Sequence, residues 1–201
     1  MKTILHLCAD TGSDSKPYRD NGYNVVLVGK AVGVENYTPT GIVHGVIANP
    51  VCTEFSIANG FHKNRDYEKG MFLVKECQRI ISQCNPVFWV IENPASGKLR
   101  DFLGEPAMTY EPWQFGSPWT KRTALWGRFN KPEPLYKRWD DVPKNPRLYV
   151  RPGRPKPSMA FLHKSACRYI DEFSSFHPDT DAEFRSLCSQ GFAREFFEVN
   201  L

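Results

Sequence analysis

No run of apolar residues in the 201-residue chain reaches the roughly 18 needed to cross a bilayer, which excludes a membrane-spanning helix. The N-terminus, M-K-T-I-L-H-L-C-A-D, holds a basic residue but only a short, interrupted apolar stretch. A soluble, cytoplasmic protein is therefore expected. Paired-cysteine spacing is also missing. The six cysteines, at 8, 52, 77, 84, 167 and 188, show no C-x-x-C pattern, which argues against a zinc ribbon, a redox pair or a disulfide framework. No metal site is expected, and most of these thiols are expected to serve as small buried hydrophobes. The composition of a disordered chain is absent as well, since aromatics make up 13% and charged residues 24%. A length of 201 residues suits one α/β domain with a sizeable core and is short for two independent cores.

What is present begins with charge. The formal net charge is +4, and residues 131–172 hold ten Lys/Arg against five Asp/Glu, so the excess is local. Such a stretch suits phosphate contacts, and it equally suits a solvated basic surface. Seven prolines between 131 and 157 predict an extended, irregular segment without a core of its own.

The first half alternates short apolar runs with helical patterns, the signal of a parallel sheet with crossover helices. Strands are predicted at 3–7, 24–28 and 45–48, with a turn and a short helix between the first two that stops near Gly22. Between Asp66 and Cys84 the apolar residues Leu73, Val74, Cys77, Ile80, Ile81 and Cys84 define one helix face. V-F-W-V-I, residues 87–91, reads as a buried strand ending at Glu92-Asn93-Pro94, and a further strand is predicted at 124–126. The C-terminal A-E-F-R-S-L-C-S-Q-G-F-A-R-E-F-F-E-V-N reads as helical, with Gly191 as a possible break. Ligands of open α/β sheets bind beyond the carboxyl ends of the strands. Three short stretches fall there: Ala9 to Ser13, Asn49 to Ser56, and Glu92 to Pro94.

Each stretch has a functional and a structural reading. Cys52, in a polar loop after a strand, suits thiolate addition to C6 of a pyrimidine, and a lone cysteine also suits simple burial. Asn49-Pro50 suits recognition of an exocyclic amine, whose aromatic stacking partner would then be Phe55, three residues beyond the position occupied by Cys52. Glu92 suits proton donation to a ring nitrogen if its pKa is raised, or it caps a following helix together with Asn93 and Pro94. Lys121-Arg122 suits phosphate or base contacts, or ordinary surface charge. The Ala9-Asp10-Thr11-Gly12-Ser13 loop is placed as a cofactor loop would be.

In order and spacing these segments resemble the cytosine-C5 DNA methyltransferase family, most closely its short, phage-type relatives. The matching segments are I-L-H-L-C-A-D-T-G-S, H-G-V-I-A-N-P-V-C-T-E-F-S, W-V-I-E-N-P-A-S-G-K-L, F-G-S-P-W-T-K-R-T-A-L-W and R-S-L-C-S-Q-G-F-A-R-E-F-F, covering roughly residues 3–129 and 184–200. The resemblance implies a Rossmann-like, S-adenosylmethionine-dependent methyltransferase fold with a mostly parallel sheet, lacking a large target-recognition domain. It divides the chain into a catalytic and cofactor core at 1–130, a Pro-rich basic segment at 131–172, and a C-terminal helical segment at 173–201 that completes the same domain.

The resemblance further implies S-adenosylmethionine as cofactor, DNA as partner in duplex or single-stranded form, and phage or prophage origin in a bacterial host. The catalytic residues would be Cys52, Glu92 and Lys121. Cys8, Ala9, Asp10, Gly12, Glu35, Asn49 and Pro50 would line the cofactor, and Ser56, Asn93, Lys121 and Thr123 the substrate. The chain departs from the family pattern at Asp10, which replaces a glycine, at Val51, which replaces the second proline of Pro-Pro-Cys, and at Thr123, which replaces an arginine. The acidic residue that holds the cofactor ribose after the second strand is missing from V-L-V-G-K, which leaves Glu35 as a displaced substitute. Two alternatives follow. One is a catalytically inactive family member that binds nucleic acid or a protein partner; the other is an amino methyltransferase that works through Asn49-Pro50.

Overall fold

The computed structural model describes residues 1–56 and 65–201. Its strands are β1 (Thr3–Leu7), β2 (Asn24–Val28), β3 (Gly45–Ala48), β4 (Phe88–Pro94), β5 (Met108–Tyr110) and β6 (Thr123–Arg128), and they form one sheet in the order β2-β1-β3-β4-β6-β5. The first four run parallel, and β6 pairs antiparallel with β4. Among the described residues five α-helices accompany them: α1 (Lys16–Asp20), α2 (Tyr67–Cys84), α3 (Arg100–Leu103), α4 (Asp181–Ser186) and α5 (Gln190–Val199). The architecture is α/β and Rossmann-like, with a mostly parallel sheet. Among the described residues no helix is long and apolar enough to cross a membrane.

Two compact units share the chain. The first comprises Met1–Thr109 and Thr123–Phe129, and the second Tyr110–Arg122 and Asn130–Leu201. In the first, α2 starts where the Asp66 carboxylate caps the Lys69 N–H and ends at Asn85, which adopts a left-handed conformation. Val74, Cys77 and Ile80 of α2 lie in one core cluster with Leu5, Leu7, Val46, Ala48 and Ile91 of the sheet. Pleating sends Ile4, His6, Ile47 and Val90 to the opposite face, where the Phe88 ring stacks on Tyr18 of α1. Phe88 fits because its neighbour across the β3–β4 pair is Gly45, on which any Cβ would fall 2.2 Å from the ring.

β4 differs from its predicted extent. It runs through Glu92, Asn93 and Pro94 because β6 holds them in register opposite Leu125, Ala124 and Thr123. Pro94 sits at the strand's last position, where its missing N–H costs the ladder least. β6 is likewise longer than the 124–126 predicted.

The second unit has its own buried cluster: Trp119, Leu148, Met159, Leu162, Ile170, Phe173, Phe176, Phe184 and Leu187. Leu148, Met159, Leu162 and Ile170 come from the Pro-rich segment 131–172, which is built of turns and short 3-10 helices, among them Trp139–Asp141. The C-terminal segment is two helices, and the break falls at Leu187–Ser189, before Gly191. Gly191 lies inside α5 because its α-carbon rests on the Phe115 carbonyl, with only 1.9 Å left for a Cβ. At the start of α5 the half-buried Glu172 carboxylate accepts from the Ser117 hydroxyl and the Gln190 N–H, both at 2.7 Å. Burial raises the Glu172 pKa against those hydrogen bonds.

Candidate active site at the strand ends

β1 has β2 on one side and β3 on the other, so the sheet's topological switch point lies between β1 and β3. Ligands of open α/β sheets bind in the crevice at such a point, beyond the carboxyl ends of the strands. The loop following Leu7 and the loop following Ala48 both leave from there, and Leu7 and Ala48 are paired in the sheet. Ala48 is in turn paired with Ile91, so the Glu92-Asn93 pair occupies the next position along the same edge.

A hydrogen-bonded chain crosses the switch point. The Asp14 carboxylate accepts from Asn49 Nδ2 at 3.1 Å, which turns Asn49 Oδ1 towards His6 Nε2 at 3.0 Å. Because Oδ1 only accepts, Nε2 carries the proton. His6 Nδ1 meets the Ser15 hydroxyl at 2.8 Å. His6 is buried, and desolvation lowers its pKa against the opposing pull of Asp14 and Asn49. His6, Asp14 and Ser15 are functional candidates that the motif reading missed. The available signal was a polar residue inside the apolar strand T-I-L-H-L, since an interior histidine needs partners.

The loop after β1 starts under strain. Cys8 adopts a left-handed φ of 56°, uncommon for a residue with a Cβ, and its Sγ lies 3.8 Å from Cys77 Sγ on α2. That contact with Cys8, followed by burial, pushes the Cys77 thiol well up. Ala9 N–H donates to the Val28 carbonyl, which ties the loop to the end of β2. Asp10 then turns sideways. Its Oδ1 accepts from the Lys30 N–H at 2.9 Å and its Oδ2 pairs with Lys30 Nζ at 3.2 Å. The carboxylate lies so close to Gly29 that a Cβ there would fall 2.3 Å from Asp10 Oδ1. A loop carboxylate thus occupies the end of β2, where the strand's own sequence provides none. Glu35 folds over its own turn, its carboxylate against Gly33. Gly12, at φ +68°, adopts a conformation that favours glycine.

The loop after β3 is anchored at both ends. Asn49 N–H donates to the Leu7 carbonyl, and the Cys52 carbonyl accepts from the N–H groups of Phe55 and Ser56 at 3.0 and 2.8 Å. Phe55 is fully buried, and its ring lies among Tyr67, Phe102 and Gly70. Cys52 is half-buried, and Val51 is 49% exposed. From β4, Asn93 Nδ2 donates to the Pro50 carbonyl at 2.9 Å and so joins the Cys52 loop to the Glu92 strand. Asn93 Oδ1 is buried and has no hydrogen-bond partner among the described residues, which marks it as an acceptor left for a ligand or a water.

Of the remaining residues singled out by sequence, Thr123 is buried opposite Pro94, near the Glu92 end of β4. Lys121 belongs to the second unit. Its ammonium lies 3.4 and 3.3 Å from the Ser186 and Leu187 carbonyls, a cation at the end of α4, and its N–H donates to Glu111. Among the described residues no group of His, Cys, Asp and Glu could hold a metal ion.

Fold and site together define a Rossmann-like α/β chain with a polar strand-end site, two of whose loops carry a thiol and a carboxylate. No family model and no curated protein matches the chain. Among solved structures, it is similar to an E. coli protein encoded within a prophage and described as a DNA modification methyltransferase, at 14% identity and a TM-score of 0.47. That match covers 64% of this chain and 47% of the other, so this chain spans about half the length of its structural neighbour.

Proposed function

We propose that the chain transfers a methyl group to C5 of cytosine in DNA, with Cys52 as nucleophile and S-adenosylmethionine as donor. The observation that carries this reading is the Asn93 Nδ2 bond to the Pro50 carbonyl, which fixes the Cys52 loop to the strand bearing Glu92. In this reading the Cys52 thiolate adds to C6 while Glu92 gives a proton to the ring nitrogen, and C5 becomes nucleophilic. S-adenosylmethionine supplies the electrophilic methyl carbon when bound. Removal of the C5 proton by a base then expels Cys52 and restores the ring. The residues present suit the cofactor: the Asp10 carboxylate, held at the end of β2 by Lys30, would accept from the ribose hydroxyls. A duplex substrate would have to present the base flipped out of the stack.

The amine-directed alternative is weakened by the geometry. Asn49 already spends Oδ1 on His6 and Nδ2 on Asp14, and the buried Phe55 ring cannot stack on a base. The inactive alternative draws support from Lys121, whose ammonium is committed to helix carbonyls. Incubation with 5-fluorocytosine DNA and cofactor separates these readings. A covalent complex that survives denaturation and disappears in Cys52→Ser is expected. Absence of the complex on duplex and single-stranded DNA alike, despite calorimetric binding of S-adenosylmethionine, would overturn the Cys52 reading.

A further inference from the structure

Between residues 113 and 169 the second unit places five cations over four aromatic rings. Lys144 Nζ lies 4.1 Å from the Trp139 ring centroid, and Lys156 Nζ lies 4.9 Å from Trp113 and 5.1 Å from Trp139. The guanidinium of Arg151 lies 4.7 Å from Phe161, and those of Arg147 and Arg168 lie 5.4 and 4.7 Å from Tyr169. Such pairs occur about once per 70–80 residues in proteins, so this density exceeds background. The tryptophan cluster and the Tyr169 cluster are linked. Asn145, between Lys144 and Arg147, donates to the Tyr169 carbonyl, and Trp113 packs edge-on against Trp139. A Thr120–Ser158 bridge holds residues 157–159, just after Lys156, against Thr120, which precedes Lys121-Arg122.

The free surface charge exceeds the count of ten Lys/Arg against five Asp/Glu in residues 131–172, because the carboxylate of one of the five, the half-buried Glu172, is bonded internally. Arg147, Arg151 and Arg168 are exposed, as are Phe161 and Tyr149.

We propose that this face binds a single-stranded polynucleotide, with its cations on phosphates and its rings against unstacked bases. The partner must be anionic to meet the charge and must carry flat apolar faces to use the rings, and single strands offer both along their length. A duplex hides its bases and is read by a helix or ribbon in a groove. This face offers neither, since the segment is turns and prolines, α4 has six residues, and α5 buries its aromatic side. The cation–ring pairs hold the long side chains in place before a ligand arrives, which lowers the entropy cost of binding. The inference rests on the proposed function only in preferring DNA to RNA.

Fluorescence anisotropy on the full chain tests it, using a labelled single strand of about 16 nucleotides, its duplex, and the matching RNA strand. Tighter binding of single strands than duplex is expected, with comparable RNA binding supporting the same surface. The triple variant Arg147→Gln, Arg151→Gln, Arg168→Gln should reduce the log–log salt slope by about 2, at roughly 0.7 per phosphate contact. Trp139→Ala should weaken binding about tenfold with little change in slope. The exposed arginines are not core residues, so the triple variant keeps the test valid even if Trp139→Ala unfolds. An unchanged slope in the triple variant, equal or tighter duplex binding, or equal binding of poly-glutamate would overturn the inference. If the covalent complex forms but the triple variant binds normally, this inference alone fails; if the complex is absent but single-strand binding behaves as stated, the methyl-transfer reading alone fails.

Discussion

At the level of single residues, the His6 hydrogen-bond chain has a direction set by chemistry. The Asp14 carboxylate fixes the Asn49 amide, the amide fixes the proton on His6 Nε2, and a neutral His6 then draws the Ser15 proton to Nδ1. A second proton on His6 would release the Ser15 hydroxyl to its other neighbour, the Gly12 carbonyl at 3.3 Å. Burial lowers the folded-state pKa below the ordinary 6.5, so between those two values the unfolded chain takes up a proton that the folded chain does not. The stability His6 permits is therefore complete above about pH 6.5 and is lost as the pH falls below it. Urea midpoints at about pH 7.5 and 5.5 should show a smaller acid loss for His6→Gln than for the wild type. Equal losses in the two proteins would refute this protonation scheme.

At the level of elements, the Cys52 loop depends on α2. Gly70 of α2 lies where a Cβ would come within 2.8 Å of the Phe55 ring tip and 3.0 Å of Glu54 Cβ. Helix propensity alone predicts that Gly70→Ala stabilises by about 1 kcal/mol. Phe55 is fully buried and has little room to yield, so overpacking of about 1–3 kcal/mol should outweigh that gain. The expected result is a lower urea midpoint together with slower covalent trapping at Cys52; a raised midpoint would show that the loop repacks freely.

The helix itself was legible in sequence. Leu73, Val74, Cys77, Ile80, Ile81 and Cys84 mark its face, and Asp66, predicted to open it, caps it. β1, β2 and β3 were equally legible from their apolar runs. The extension of β4 was not, because Glu92, Asn93 and Pro94 are poor strand formers held in the ladder by β6, about thirty residues later. The sideways turn of Asp10 was also hidden, since it depends on Lys30 and Gly29 rather than on any local pattern.

At the level of the whole molecule, the first unit is discontinuous, and its sheet is completed by a strand that the chain delivers last. Residues 1–109 contain β1 to β4, α2 and α3, yet the six residue pairs between β4 and β6 and the buried Ala124, Leu125 and Trp126 come from 123–129. Ala124 and Trp126 belong to the same core cluster as Ile91 and Val74, and Trp126 Nε1 donates to the Gly104 carbonyl at 2.8 Å. A fragment ending at Thr109 would expose the Trp89–Pro94 edge of β4 and leave that cluster open on one side. Unpaired apolar edges invite association, and burial lost at about 25 cal/mol per Å² is large beside a domain's net stability of about 5–15 kcal/mol. The fragment 1–109 is therefore expected to lack a cooperative thermal transition by circular dichroism and to sediment as aggregates, while the full chain melts cooperatively. A soluble fragment with a sigmoidal melt would show that β1 to β4 and α2 fold without β6.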